Sequence, residues 1–298
     1  MEKDNIKKYL EKLELEVSKV EKIDNEETLS SDVYKLTLKD NTCLILKIMF
    51  NEKRLKRESF FLKKVKGHIL VPNIISIIRP NGKYKGAILM ECLSGKIAAA
   101  YDLSDDLSFN MGMLLAKLHK IPCDFYGDIT DEKFLSPTLQ SGVFILKTYF
   151  NKSFKECENH LDMSLLKKIE KFFYKKINEI KYLDGPCITH RDFKPGNIII
   201  ENDQIRGLID WEIARNNFAE EDFSQMEYLV WDKYPDKKKA FLEGYRSIRK
   251  VPDIDFIMPV LRICKSLGTI GFTIERNTWD NKHKNIFETN LNYLQKFF

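Results

Sequence analysis

The chain has 298 residues and a mass of 35.1 kDa, and it is 43% hydrophobic and 31% charged, an ordinary globular balance with room for one large domain or two lobes. Its net charge of +5 comes from scattered lysines, with no basic run interleaved with stacking aromatics, so nucleic acid is not an expected partner. Six cysteines stand far apart, with no C-x-x-C pair and no zinc-type pairing with histidine, and they read as buried reduced thiols.

The N-terminal M-E-K-D-N-I-K-K-Y-L is charged and lacks the apolar stretch of a signal peptide. No run reads as long enough to span a membrane, so a cytoplasmic chain without a membrane partner is expected, as a monomer or weak dimer. An amphipathic helix is expected over 2–13, with Ile6, Tyr9, Leu10 and Leu13 on one side. Strands follow at about 16–23, 32–39 and 42–50, the last two joined at Lys39-Asp40-Asn41, which suits a hairpin turn. Residues 52–66 read as a charged helix with Leu55, Phe61, Leu62 and Val65 inward, and 85–93 as a buried strand broken by Ser94-Gly95. Helical patterns then dominate, at 105–120, 161–182, 220–230, 236–248, 254–275 and 282–297, and strands are expected only at 186–189, 197–200 and 205–210. The stretch 122–140, with Pro122, Gly127 and Pro137, reads as a long surface loop. The fold class is therefore α+β and two-lobed: a small antiparallel β lobe over 1–92 and a larger, mainly helical lobe over 93–298.

Two motifs carry the chemistry: T-H-R-D-F-K-P-G-N-I-I-I at 189–200 and G-L-I-D-W-E at 207–212. Phosphoryl transfer needs an aspartate to orient the attacking hydroxyl, with an oxygen ligand and a carboxylate to hold magnesium against the phosphates. Asp192 fits the first role, and Asn197 and Asp210 fit the other two. Four residues separate Asp192 from Asn197, the spacing of the kinase catalytic loop H-R-D-x-x-x-x-N. A turn cap would explain Asp192 alone but not the three together. His190 reads as a structural histidine and Asp222 as a brace on the loop, while Lys194 stands open between the transferring phosphate and solvent.

Lys47 is the single charge in C-L-I-L-K-I, either a sheet-edge lysine or a phosphate ligand. Glu58, eleven positions on, favours the second role, because a strand lysine held by a helical glutamate faces the α- and β-phosphates in kinases. No glycine precedes Gly67, so the phosphate-covering loop has no G-x-G-x-x-G. Its place falls to N-E-E-T-L-S-S-D at 25–32, where Ser30 and Ser31 can donate to phosphate but Glu26 and Glu27 repel it. At the hinge, the backbones of Glu91 and Leu93 are placed for an adenine edge, with Ile88, Met90 and Ile209 as packing surfaces.

With these residues in place, the chain resembles the aminoglycoside phosphotransferase and choline kinase superfamily, small-molecule kinases with a two-lobed protein-kinase-like fold. The resemblance runs over nearly the whole length: Lys47 and Glu58, M-E-C-L-S-G, M-G-M-L-L-A-K-L-H-K-I-P at 111–122, H-R-D-F-K-P-G-N and L-I-D-W-E-I-A. It implies Asp192 as catalytic base, Asn197 and Asp210 as Mg2+ ligands, and ATP or GTP as donor; the glycine-free loop departs from the pattern. A protein kinase is disfavoured, because Asp210 is followed by Trp-Glu and no A-P-E occurs in the next forty residues, leaving no platform for a polypeptide.

Over 201–245 eleven acidic side chains face six basic ones. Glu212, Glu220, Glu221, Glu227, Asp232, Asp236 and Glu243 are candidates to line a pocket for a small cationic acceptor, an aminoglycoside-type antibiotic first, and a solvated acidic helix surface is the alternative reading for each of them singly. Choline or ethanolamine is the alternative, with Tyr228, Trp231, Tyr234, Tyr245, Phe272 and Trp279 as cage candidates, and a macrolide comes third. A nucleotide-binding pseudokinase is the reading from outside the enzymes, and only the glycine-free loop supports it.

Overall fold

Alternating apolar residues build the N-terminal sheet. The computed structural model describes residues 2–23, 31–130, 133–134, 141–180 and 182–298. In it β1 (Val17–Lys22), β2 (Asp32–Leu38), β3 (Cys43–Ile48), β4 (Ile74–Ile78) and β5 (Ala87–Glu91) form one antiparallel sheet in the order β1-β2-β3-β5-β4. The β2–β3 turn closes as expected: Asp40 accepts the Thr42 N–H at 2.9 Å, and Asn41 sits at φ 68°, a conformation asparagine tolerates. One face buries Leu36, Leu46 and Leu89 against Ile6 and Tyr9 of α1 (Glu2–Lys12). The other face carries Ile45, Ile88 and Met90 toward Leu55 of α2 (Glu52–Val65). Alternation puts Lys47 on that second face, with Ile88 as its cross-strand partner. The sequence pattern missed β4, because Ile-Ile-Ser-Ile-Ile after Pro72 is a continuous apolar run without the period-two signal.

Gly95, at φ 106°, turns the chain out of the sheet into the helical part. There β6 (Lys96–Ile97) joins β10 (Ile198–Glu201) and β11 (Gln204–Leu208), β7 (Ile129–Thr130) pairs with β8 (Lys133–Phe134), and β9 (Cys187–Thr189) pairs with β12 (Arg215–Asn217). Around them lie α3 (Asp105–His119), α4 (Gly142–Cys157), α5 (Met163–Glu179), α6 (Glu220–Met226), α7 (Asp236–Arg246), α8 (Ile254–Glu275) and α9 (Lys284–Phe297). The expected α+β architecture, a small antiparallel lobe with a larger helical one, is present. α4 was not foreseen: V-F-I-L-K-T-Y-F is rich in β-branched and aromatic residues that disfavour a helix locally. It is helical because Leu146 and Phe150 bury against α5 and α8, with Phe150 stacked on Phe173 at 3.7 Å.

Two features correct or extend the sequence reading. α8, at 22 residues, is long and apolar enough to cross a membrane by length and composition, with 61% of its apolar window buried inside the helical lobe. α3 and α7 cross backbone to backbone: a Cβ on Gly112 would lie 1.9 Å from the Phe241 carbonyl oxygen, and one on Gly244 would lie 1.9 Å from that of Phe109. Only glycine permits this approach. It brings His119, at the end of α3, against Tyr245 of α7, beneath the loop that follows β9.

Candidate active site

The loop His190–Lys194 leaves β9 and is held from below by α6. Asp222, fully buried, accepts the His190 N–H at 2.8 Å, the Arg191 N–H, and His119 Nε2 at 3.1 Å. Tyr245 Oη lies 2.9 Å from His119 Nδ1 and accepts from Arg249, which forks onto Asp184 at 2.6 and 2.7 Å. The brace expected at Asp222 is thus the end of a continuous network. It fixes Arg191 at φ 68°, a conformation that side-chain-bearing residues adopt only when their surroundings enforce it. His190 links the loop to the next motif: Nε2 donates to the Ile209 carbonyl at 2.9 Å, and Nδ1 accepts the Asp192 N–H at 3.3 Å. Burial pushes its pKa down, so the imidazole is neutral and structural.

Asp192 projects from this loop with both oxygens engaged. Asn197 Nδ2 donates to its Oδ2 and to its backbone carbonyl, each at 2.8 Å, Lys194 lies 3.2 Å from Oδ2, and Gln225 donates to Oδ1. Burial alone would raise this carboxyl, but Lys194, Lys265 and the Asn197 bond outweigh it and hold the pKa below the usual carboxylate range. Asp192 is ionised at neutral pH. Gln225 was missed in the sequence, although it stands three residues after Asp222 and so shares its helix face. Lys265 gave no local signal, since it arrives on α8.

Across the cleft, Lys47 lies 2.5 Å from Glu58, 2.8 Å from Asp210 and 3.6 Å from Glu212. Burial would lower the ammonium, yet Asp210, Glu58 and Glu212 together hold its pKa above the ordinary value, so it stays charged. Burial and the neighbouring carboxylates push Glu58 upward against the pull of Lys47. Asp210 sits at φ 67°, which turns its carboxylate toward Lys47. Ser31 donates to Glu212 at 2.7 Å, and Arg54 of α2 pairs with the same carboxylate. Ser30, with Glu26 and Glu27, lies outside the described residues. Glu91 spends its side chain on Asn73, accepting from N at 3.1 Å and Nδ2 at 2.7 Å, while its own N–H goes to the Asn73 carbonyl at 2.9 Å. Leu93 packs over Gly207, and no described backbone carbonyl takes its N–H.

Among the described residues, no acid named for the acceptor pocket over 201–245, apart from Glu243, is left without a cation or a hydrogen-bond donor. Glu212 faces Lys47; Glu220 accepts the Asp184 N–H at 3.1 Å; Glu221 takes Arg191 at 2.7 Å. Asp232 pairs with Arg262 at 2.7 Å, Asp236 with Lys237 at 2.9 Å and Glu227 with Lys238 at 3.3 Å, and Glu243 is exposed. Nor do the aromatics form a cage: Trp231 and Tyr245 are core, Tyr228 lies under Arg262, and Trp279 packs on His160 and Phe287.

A strand lysine paired with a helical glutamate, facing an aspartate–asparagine loop and a second aspartate, defines a protein-kinase-like phosphotransferase. The model of the phosphotransferase enzyme family, APH, matches residues 24–252, and the chain belongs to that family, whose members transfer phosphate to hydroxyl groups. Its fold is similar to the GDP and kanamycin complex of APH(2'')-IIia, with TM-score 0.71 and 11% identity over 98% of this chain and 97% of that one. An APH(4)-Ia aminoglycoside phosphotransferase with ADP and hygromycin B gives 0.70, at 10% identity over 97% of each chain. Macrolide 2'-phosphotransferase MphH from Brachybacterium faecium gives 0.67, at 13% identity over 95% of this chain and 97% of that one. Local matches reach serine/threonine-protein kinases: NLK2 of Xenopus laevis is 30% identical over 86 residues, 29% of this chain and 19% of that protein. Lok of Drosophila melanogaster is 31% identical over 108 residues, 36% of this chain and 22% of that protein. The chain thus spans about a fifth of the length of the curated relatives it matches.

Proposed function

We propose that the chain transfers the γ-phosphate of ATP or GTP to a hydroxyl of a small molecule, with Asp192 as catalytic base. The observation that carries this reading is an ionised, doubly fixed Asp192 in one cleft with the Lys47–Glu58 pair and Asp210. Structures of similar fold bound to ADP or GDP support the nucleotide.

The residues fit magnesium. Asn197 turns its Nδ2 onto Asp192, and no protein donor among the described residues reaches its Oδ1 or the second oxygen of Asp210. Both are hard oxygen donors of the kind Mg2+ takes. These two residues would hold the ion, which neutralises charge on the transferring phosphate. Lys47, held by Glu58, neutralises the α- and β-phosphates once nucleotide displaces Asp210 from it. Asp192 aligns the acceptor hydroxyl and takes its proton as the oxygen bonds to the γ-phosphorus and the bond to the β-phosphate oxygen breaks, releasing the nucleoside diphosphate. Positioning and charge neutralisation supply the rate.

Aminoglycosides bound to similar folds support a cationic antibiotic as acceptor, although most of the acids named in 201–245 already have partners within the chain. The test is nucleoside diphosphate release with Mg2+ across aminoglycosides, macrolides, choline, ethanolamine and hydroxy acids. Acceptor-dependent release with a phosphorylated product supports the reading. Tight nucleotide binding with no acceptor stimulation across the panel favours a pseudokinase.

A further inference from the structure

A cavity of about 70 Å3 lies beside the catalytic loop, lined by Tyr149 of α4, Arg191, Arg215 of β12, Glu221 and Ser224 of α6, and Lys265 of α8. It adjoins Asp192 on two sides: Gln225, next to Ser224, bonds that carboxylate, and the charge of Lys265 helps hold it ionised. Its charges do not balance. Glu221 is the one carboxylate in the lining, and it is already spent on Arg191 at 2.7 Å and on Asn217. The side chains of Arg215 and Lys265 make no hydrogen bond or ion pair among the described residues, and Arg215 Nε is buried with no partner; the carboxylates that face them, Glu221 and Asp128 for Arg215 and Asp192 and Glu221 for Lys265, act at longer range.

Cations largely removed from water are ordinarily paired; these two, half-buried, face only carboxylates already shared with other cations, Asp128 with Arg57, Glu221 with Arg191 and Asp192 with Lys194. Burial, with Arg191 alongside, outweighs Glu221 and Asp128 and pushes the Arg215 guanidinium down to about 9, and it outweighs Asp192 and Glu221 in lowering the Lys265 ammonium. Space and chemistry agree. At about 10–15 Å3 for each water-sized group, the cavity has room for a carboxylate or a phosphate. A guanidinium and an ammonium are the two side chains best suited to such a group. A polycationic acceptor would meet repulsion at the same place.

We infer that this cavity is an anion subsite of the acceptor site, so that the substrate is a small alcohol bearing a carboxylate or phosphate that seats between Arg215 and Lys265. The identity of the acceptor rests on the phosphotransferase reading above; the anion binding does not. The subsite would fix the acceptor by its charged end and leave its hydroxyl at Asp192, so that binding energy remote from the reacting atoms is used for alignment.

The test separates the two. Inorganic phosphate and acetate are titrated by calorimetry into protein saturated with ADP and magnesium, so that the nucleotide site is already filled. Saturable binding is expected, weakened at least about tenfold by Lys265→Met and by Arg215→Met and restored by Lys265→Arg; unchanged ADP affinity reports an intact fold in each variant. Preference for phosphate or for acetate says which anion the acceptor carries. In turnover, hydroxy acids and hydroxyalkyl phosphates are run beside their amide and unphosphorylated counterparts. Lys265→Met should raise KM for the charged member of each pair well beyond any change for the neutral one. Because Lys265 also helps hold Asp192 ionised, a fall in kcat common to both members is expected, and the ratio of their KM values is the readout. No saturable binding of either ion by the wild type, or equal binding by the variants, overturns the inference. So does an aminoglycoside that is turned over with a KM that Lys265→Met leaves unchanged or lowers. Anion binding that depends on Lys265, without phosphate transfer to any acceptor, upholds the subsite and sinks the phosphotransferase reading alone.

Discussion

Asp222→Asn removes one formal charge and one acceptor from the point where the catalytic loop is anchored. In the wild type, one carboxylate oxygen takes the Arg191 N–H and the other takes the His190 N–H and His119. Asparagine has a single acceptor oxygen, so its amide N–H must face either the Arg191 or the His190 N–H. His119 can adapt by exchanging tautomers with Tyr245, but a backbone N–H cannot. At ~1.5–3 kcal/mol for a hydrogen bond to a charged group, plus the cost of a buried donor left unpaired, the loss should be roughly 2–5 kcal/mol of stability. The loop it frees carries Asp192 and holds Arg191 in a strained conformation, and a ~1 Å displacement of a reacting group costs on the order of 10²-fold. Urea unfolding should therefore show the stability loss. Steady-state kinetics should show kcat down on the order of 10²-fold with nucleotide affinity little changed. A variant within about twofold in kcat and about 0.5 kcal/mol in stability would refute the reasoning, since an exposed carboxylate behaves that way.

Gly112→Ala should cost roughly 2–4 kcal/mol, because the added methyl meets the Phe241 carbonyl at 1.9 Å and α3 must move off α7; an unchanged melting temperature contradicts that. Glu58→Gln should lower kcat/KM for nucleotide by roughly 10–10²-fold, as Lys47 swings toward Asp210 and Glu212, which initial rates at varied nucleotide would reveal; rates equal to wild type would exclude the role. Burial pushes Glu220 up to about 7 from its ordinary 4.5. The folded form therefore keeps a proton that the unfolded chain has released, and the stability this confers below pH 4.5 is lost as pH rises through 7. Glu220→Gln should thus stabilise by roughly 1–3 kcal/mol at pH 8 relative to its effect at pH 4.5; a difference that is flat with pH in denaturant unfolding counts against it.

Local spacing was legible where the chemistry is local. Asp192, Asn197 and Asp210 lie on one hairpin, and Lys47 and Glu58 on a strand and the helix that follows it, so their meeting follows from short connections. The residues of the inferred anion subsite come from far away: Arg215 on β12 and Lys265 on α8 line one cavity through packing that no window of sequence displays. The partners of the acidic residues were hidden for the same reason. Counting charges over 201–245 could not reveal that Arg191, Arg262 and the Asp184 N–H, all outside that window, take Glu221, Asp232 and Glu220. α4 failed differently, since tertiary burial of Leu146 and Phe150 overrides the local preference of its β-branched and aromatic residues.

The central claim is that Asp192 carries the reaction. Its most direct test is single-turnover γ-phosphate transfer to whichever acceptor the wild type uses best, compared with Asp192→Asn at matched nucleotide saturation. The account predicts a loss of on the order of 10²–10⁴ in the transfer rate with nucleotide affinity preserved. Transfer by Asp192→Asn at the wild-type rate would contradict it.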